Sequence, residues 1–222
     1  MRPLLLSAGL LLGGPAAAQD PVDIGVIRDS DTLVVQDLLY PKAQHTEVTF
    51  SAAVMPFDPY TLTPSLQLGF AWHQTEALSF EAVLGGGYGF KSRLYRSLER
   101  DHGVAPNAFR YLASALAGVG WSPIYGKMNL GGTRIVHYDV YLTGRGGLTL
   151  EHALLPTGGT PLAPTLSVGL GSRFFLGDGA TLRIELRDDV FLQHRRLTDT
   201  WALKQNVLVL VGLTMLSERG GD

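Results

Sequence analysis

The stretch from Thr181 to Leu192 constrains the fold most strongly, because its apolar and charged residues alternate. The apolar residues Leu182, Ile184, Leu186, Val190 and Leu192 share one parity, and Arg183, Glu185, Arg187 and Asp189 share the other. A β-strand sends alternate side chains to opposite faces, whereas a helix would spread these charges around every side. Two structures fit this pattern. The charged face can meet water in a soluble sandwich, or it can line a closed barrel whose apolar face meets lipid.

Similar segments recur along the chain and predict about eight strands. They fall near residues 45–54, 65–72, 78–88, 111–121, 134–147, 165–176, 181–192 and 202–216. The predicted connections alternate in length: His73–Glu76 and Gly177–Gly179 are tight, whereas residues 55–63, 91–110, 151–163 and 193–201 form longer loops. Ser122–Gly132, rich in Gly and Pro, is interpreted as a further turn. Short periplasmic turns and long outer loops are typical of outer-membrane barrels.

The composition favours the membrane alternative. Hydrophobic residues make up 45% of the 222 residues and charged residues only 17%, against about 25% charged in typical soluble domains. No interior apolar run approaches the roughly 18 residues that a spanning helix needs. The net charge of -2 predicts no nucleic-acid partner. The chain has no cysteine, so neither disulfides nor lipidation at a cysteine is expected.

The N-terminal residues predict export. Arg2, the apolar run Leu4–Leu12 and the small residues Ala16–Ala18 match the three regions of a secretory signal peptide. We therefore divide the chain into a signal peptide (1–18), a periplasmic lead-in segment (19–43), a barrel (44–217) and a short tail (218–222). Within the long connection 91–110, Leu94, Tyr95 and Leu98 recur at helical spacing and predict a short amphipathic helix.

The fold class predicted is therefore all-β: a closed, antiparallel, up-and-down transmembrane β-barrel of about eight strands, with a short helix in one long loop. Its inward parity carries charges of both signs, which we expect to form an internal salt-bridge network because charges withdrawn from water need partners. The predicted members are Glu47, Glu81, His137, Asp139, Arg145, Arg173, Arg183, Glu185, Arg187 and Asp189. An eight-stranded barrel has room for side chains but not for a channel, so a closed lumen is favoured over a conducting pore.

A hypothesis of catalytic function would depend on His137, Asp139 and either Ser167 or Thr143. Some small outer-membrane barrels modify lipids with a Ser–His pair, which must lie in hydrogen-bond reach at the lipid-exposed rim. The parity of His137 and Asp139 directs them into the lumen, so membership of the buried network is favoured. The sequence predicts no catalytic, cofactor-binding or metal-binding residue, because the histidines are scattered without a ligand motif.

Three stretches resemble the outer-membrane β-barrel domain family found in myxobacteria and related deltaproteobacteria. They are Leu39–Ala43, Trp121–Lys127, and Arg173–Leu176 followed by Leu182–Asp188. The resemblance implies an outer-membrane barrel without a shared catalytic site, and membership of some relatives in envelope-spanning complexes such as gliding-motility machinery. One departure is the ending Ser217–Asp222, where an aromatic residue would be the usual assembly signal.

Together these observations predict an outer-membrane protein with a structural or interaction role. The expected partners are outer-membrane lipid and, through residues 91–110 and 19–43, other envelope proteins. Two alternatives stay open at this point. One is an enzyme that modifies lipid or lipopolysaccharide, and the other is a soluble lipocalin-like carrier, which requires the reverse arrangement with apolar residues inside.

Overall fold

A computed structural model describes residues 40–131, 134–155, 159–177, 179–195 and 200–217. The predicted signal peptide, residues 19–39 of the lead-in and the tail 218–222 lie outside these ranges. Within the described ranges the chain forms nine strands and one helix. These are β1 (Thr46–Met55), β2 (Thr61–His73), β3 (Leu78–Gly87), β4 (Phe90–Lys91), α1 (Arg93–Asp101), β5 (Phe109–Leu130), β6 (Arg134–Ala153), β7 (Leu162–Gly177), β8 (Ala180–Arg195) and β9 (Thr200–Leu216).

The strands close into a ring. Strand β1 pairs antiparallel with β2 on one side and with β9 on the other, so the sheet has no first or last strand. The two-residue strand β4 pairs only with β2 among the described residues, which leaves eight strands in the ring. Closure removes the free sheet edges that would otherwise expose backbone hydrogen-bonding groups. The predicted closed antiparallel barrel of about eight strands is thereby confirmed.

The two ends of the barrel differ in their connections. At one end, here called the turn end, strands β2, β5 and β7 finish and strands β3, β6 and β8 begin, with residues 74–77 between β2 and β3. At the opposite end, the loop end, the connection between β3 and β5 carries β4 and α1. Strand β1 starts at the turn end and β9 finishes there, because the two strands pair antiparallel from Glu47 and Leu216.

Helix α1 confirms the helix predicted within residues 91–110. Ser92 has an extended backbone and its side-chain oxygen accepts the Tyr95 backbone N–H at 3.1 Å, which is an N-cap. The helix buries Tyr95 and exposes Arg93, Arg96 and Arg100 to solvent. None of the helices among the described residues is long and apolar enough to cross a membrane.

The prediction of a turn at Ser122–Gly132 is wrong. Strand β5 continues to Leu130 and pairs with β6 from Arg134 onward, after a register shift between Trp121 and Ile124. Strand β3 ends its pairing at Trp121, so the free edge beyond that point tolerates Pro123, which has no N–H to donate. The result is a two-stranded extension at the turn end, formed by residues 127–130 and 134–137, which we call the turn hairpin.

The outward face of the barrel is apolar and its interior is polar. Large exposed hydrophobic side chains occur on all eight strands of the described ring, including Phe50, Leu66, Leu84, Val119, Leu142, Val168, Ile184 and Leu213. Glu47, Glu81, Arg145 and Arg187 are buried inside. This is the reverse of a soluble carrier, whose interior would be apolar and whose surface would be polar.

One polar pair interrupts the outward face. Asp188 lies on the same parity as Ile184 and Leu186, and the Gln205 side-chain amide donates to its carboxylate across β8 and β9. The register of β7 and β8 runs without a shift through the pair Val168 and Asp188. The strand therefore does not bulge there, and Asp188 lies on the outward face with Gln205 as its partner.

Candidate functional site

The candidate site is the charged interior of the barrel, which begins at the turn end with Glu47. Its Oε2 accepts a hydrogen bond from Arg173 Nη1 at 2.9 Å and lies 2.7 Å from His73 Nε2. Its Oε1 lies 3.4 Å from Arg183 Nη1. The Glu47 side chain is only 1% exposed, so these contacts replace the water that its charge has lost.

In the middle of the barrel one arginine joins two carboxylates from different strands. Arg145 on β6 donates to Glu81 on β3 at 2.6 Å and to Glu185 on β8 at 2.8 Å. Arg183 also contacts both carboxylates, at 2.8 Å to Glu185 and 3.4 Å to Glu81. Each charge therefore has at least two partners of opposite sign, which is the arrangement that buried ions require.

Tyr141 lies between the turn-end and central groups. Its hydroxyl accepts from Arg183 Nε at 2.6 Å and donates to Glu185 Oε2 at 3.1 Å. The guanidinium carbons of Arg173 and Arg183 lie 4.8 Å and 4.4 Å from the centre of its ring. Gly171 on β7 leaves the space for this ring, since a Cβ there would lie 2.2 Å from the Tyr141 hydroxyl. The tyrosine thus contributes both a hydrogen bond and a cation–π surface.

Toward the loop end the network continues through Arg187. Its Nε lies 3.2 Å from Asp189 Oδ1, and its Nη1 donates to Gln67 Oε1 at 2.8 Å. Beside it the lumen becomes partly apolar, with a cluster formed by Ala53, Met55, Tyr111, Leu208 and Leu210. Here the interior changes from paired charges to ordinary side-chain packing.

The turn-end mouth is closed by the segment that precedes β1. The Lys42 ammonium pairs with the carboxylate of Asp139, whose Oδ1 also lies 3.5 Å from Arg173 Nε. The Glu76 carboxylate accepts the backbone N–H groups of Lys42 and Ala43 at 2.9 and 3.0 Å. Burial and the nearby Arg173 lower the pKa of Lys42, although Asp139 opposes that shift.

Aromatic rings cover this closure from the turn-hairpin side. Tyr40 stacks on Phe175 with ring centres 5.0 Å apart and meets His137 edge-on at 5.4 Å. His137 also lies 6.0 Å from the Tyr125 ring. Among the described residues no ion pair joins His137, so it differs from the other nine predicted members of the network, which lie in the lumen.

The loop-end mouth has its own polar contacts. Lys204 Nζ lies 2.9 Å from Asp58 Oδ2 and 3.7 Å from Glu151 Oε1, and the Gln193 amide donates to Glu151 at 2.5 Å. Asp58, Gln193 and Lys204 also line a pocket of about 170 Å³, together with Tyr60 and Phe109. Charged side chains therefore cross the lumen at this end as well.

Between the turn-end mouth and Asp189 the described interior is balanced in charge and leaves little empty space. Five carboxylates (Glu47, Glu81, Asp139, Glu185, Asp189) meet five cations (Lys42, Arg145, Arg173, Arg183, Arg187). The cavity lined by Glu81, Arg145 and Glu185 measures about 20 Å³, which is room for about one water molecule.

Sequence reasoning missed several members of this site, among them Tyr141, His73 and Lys42. Tyr141 shares the inward parity of Asp139 and Thr143, so alternation alone could have found it. The sequence pattern assigns His73 to a turn, although it is the last residue of β2 and is buried. Lys42 lies outside any strand, so no periodic signal marks it.

The fold does not bring the hydroxyl residues of the catalytic hypothesis close to His137. His137 and Arg145 are both on β6, eight residues apart, and Ser167 pairs with Arg145 in the β7 register. Eight strand residues span roughly 27 Å, and the six residues from His137 to Thr143 on the same strand span roughly 20 Å, both far beyond the reach of a hydrogen bond from a hydroxyl to His137. The described residues also contain no group of three or more His, Cys, Asp and Glu suited to a metal ion.

An apolar outward face around a closed ring with paired charges inside defines a membrane-spanning β-barrel. No protein-family model matches the chain, and no curated protein matches it. Among solved structures it is similar to Neisserial surface protein A, with 12% identity, 77% of this chain and 94% of that chain covered, and a TM-score of 0.44. It is also similar to Ail of Yersinia pestis, with 12% identity, 78% of this chain and 97% of that chain covered, and a TM-score of 0.40. A third similar structure is the N-terminal β-barrel domain of Pseudomonas aeruginosa OprF, with 7% identity, 79% of this chain and 98% of that chain covered, and a TM-score of 0.41.

Proposed function

We propose that the protein is a non-conducting barrel of the outer membrane with a structural and interaction role in the cell envelope. The observation that carries this proposal is the filled interior between the turn-end mouth and Asp189, in which five carboxylates and five cations pair with one another. A conducting pore needs a continuous water-filled path, and side chains of both signs occupy this one. The apolar outward face supports residence in a bilayer.

The connections support an orientation with the turn end in the periplasm, since outer-membrane barrels keep short turns on that side. The lead-in 19–43 then enters from the periplasm, and α1 faces the outside. We propose these two segments, 91–110 and 19–43, as the contact surfaces for envelope proteins. Because some members of the family that the sequence resembles belong to envelope-spanning complexes, such as motility machinery, we include membership of such a complex in the proposal.

Cell fractionation combined with conductance measurement tests the proposal. The protein is expected in the outer-membrane fraction, extractable only with detergent, and silent in planar lipid bilayers. Recovery in the osmotic-shock fluid would contradict the membrane location. Stepwise channel currents from the reconstituted protein, absent from mock preparations, would contradict the closed lumen.

Crosslinking tests the interaction role. A photoreactive amino acid is placed at exposed Arg96 on α1 and, as a matched control, at exposed Leu213 on the lipid-facing side. Partner proteins are expected to be crosslinked from the α1 position and only lipid from the control. Equal protein adducts from both positions would contradict α1 as a specific contact surface.

A further inference from the structure

We propose that Arg110, at the loop end of β5, binds a phosphate group of an outer-leaflet glycolipid. This inference rests on the proposed outer-membrane location and adds a ligand and a site to it. Arg110 lies between the buried residues Phe109 and Tyr111, so strand alternation directs its side chain to the outward face. On β6 its register partner is exposed His152. The guanidinium therefore lies on the lipid-facing side at the outer rim.

The Arg110 guanidinium is held in place by neutral groups. Its Nε donates to the Gly89 carbonyl at 2.7 Å, its Nη1 donates to the Tyr88 hydroxyl at 2.6 Å, and its carbon lies 4.1 Å from the centre of the Tyr88 ring. Among the described residues no carboxylate pairs with it. An oriented arginine without a counter-ion is suited to a phosphate, which a guanidinium can bind through two parallel hydrogen bonds.

The surroundings match the two halves of a lipid. Tyr88 and Phe90, whose rings lie 5.1 Å apart, are exposed beside Arg110, and amphipathic aromatic residues favour the membrane interface. A register shift between Tyr111 and Ala113 changes the parity of β5, so that Ala113, Ala115 and Ala117 follow Arg110 on the outward face. Exposed Leu84 and Leu148 are the register partners of Ala115 on either side. The alanines leave a shallow apolar groove in which an acyl chain can lie beneath the bound phosphate.

The net positive charge of the connection around Arg110 also attracts anionic lipid headgroups. The connection from residue 91 to residue 110 carries five basic residues (Lys91, Arg93, Arg96, Arg100, Arg110) and two acidic ones (Glu99, Asp101). Glu99 pairs with Lys91, at 3.1 Å, and Asp101 accepts from Ser97. The arginines of α1 are exposed, so they raise the local concentration of anionic headgroups around Arg110.

A lipid titration of the full-length protein in a neutral detergent tests the site. The probe is bis-phosphorylated lipid A, and the comparison is the same lipid with its phosphates removed. Arg110→Gln is expected to raise the Kd for the phosphorylated lipid about tenfold, the loss expected for one charged hydrogen-bonded contact. Tyr88→Phe, which removes the hydroxyl that orients Arg110, is expected to cause a smaller rise. The matched control Arg134→Gln, exposed on the turn hairpin, is expected to leave the Kd unchanged.

Several results would overturn the inference. They are an unchanged Kd in Arg110→Gln, an equal rise in Arg134→Gln, equal binding of the dephosphorylated lipid, or displacement of the lipid by an equal concentration of inorganic phosphate. Insertion into neutral phosphatidylcholine vesicles, measured by protease resistance, is scored separately for each variant. If the unchanged protein inserts but does not bind the phosphorylated lipid, this inference fails alone, and if it does not insert, the proposed function fails.

Discussion

Arg145 on β6 and Glu81 on β3 are 64 residues apart in sequence, and their Nη2 and Oε2 atoms lie 2.6 Å apart in the centre of the barrel. Strand β5 separates their two strands in the sheet. Glu81 and Arg145 are both register partners of Gly118 on β5, so their side chains meet inside the barrel over a glycine. Because both side chains are almost completely buried, removal of either partner leaves a charge without water and without its full set of counter-ions.

We predict that Glu81→Gln lowers the free energy of unfolding by about 3 kcal/mol, because it leaves Arg145 and Arg183 partly uncompensated. Urea unfolding of the reconstituted barrel measures the change. The matched control is Glu99→Gln, which breaks the exposed pair with Lys91 on the loop-end surface and should cost at most about 0.5 kcal/mol. Equal effects of the two substitutions would contradict a stabilising role for the interior network.

A pair of glycines provides a steric test. In Gly171→Ala the new Cβ would meet the Tyr141 hydroxyl at 2.2 Å and the Ile184 carbonyl oxygen at 2.7 Å, whereas at Gly86 nothing lies within 4 Å. Gly171→Ala is therefore expected to destabilise the barrel by about 1–3 kcal/mol, the usual cost of overpacking, and Gly86→Ala is not. Thermal unfolding followed by circular dichroism measures the stability of both variants. A Gly171→Ala variant as stable as Gly86→Ala would mean that Tyr141 does not occupy this space.

The closure at the turn end predicts a change in access to the lumen. Lys42→Gln weakens the contact with Asp139, and the segment 40–43 should leave the mouth more often. A cysteine introduced at half-buried Ser122 would be the only one in the chain. Its reaction with a water-soluble maleimide should become about tenfold faster, the effect of losing roughly 1.4 kcal/mol of closing free energy. Lys127→Gln, on the exposed side of the turn hairpin, is the control and should leave the rate unchanged.

Arginine substitutions at two similarly exposed residues, one on the outward face of the barrel and one on the turn hairpin, test which of these surfaces lipid covers. Leu66 is 71% exposed on the barrel and Ile135 is 65% exposed on the hairpin. If lipid covers the barrel but not the hairpin, Leu66→Arg should lower the free energy of unfolding in bilayers by about 2 kcal/mol or more, and Ile135→Arg by at most about 1 kcal/mol. Urea unfolding from vesicles measures both. A solvent-exposed barrel would give two small and similar values.

The sequence predicts which face of a strand a residue occupies better than it predicts the partner of that residue. In β8 the alternation alone places Arg183, Glu185 and Arg187 on one face, and all three are buried in the lumen. Their partners depend on how the strands are staggered around the ring, and a single strand does not encode that stagger. Thus the contact between Arg145 and Glu81 could not be read from the residues that flank either of them.

The two largest differences from the sequence-based expectations have local causes. Gly126 and Pro123 are typical turn residues, but β5 continues past them because one of its edges still pairs with β6 and the other, free edge tolerates the proline. Lys42 entered the network from a segment without periodicity, where only the final fold brings it to Asp139. Both features depend on tertiary contacts rather than on a repeating pattern.

The most direct test of the account is whether the outward face meets lipid. Because the chain has no cysteine, a single spin label can be attached at Val168→Cys on the outward face of β7 and, as the aqueous reference, at exposed Gln74→Cys in the turn between β2 and β3. In bilayers the label at 168 should collide with oxygen far more than with a water-soluble nickel chelate, and the label at 74 should show the opposite preference. A label at 168 that meets the nickel chelate as often as the label at 74 would contradict the membrane-spanning barrel.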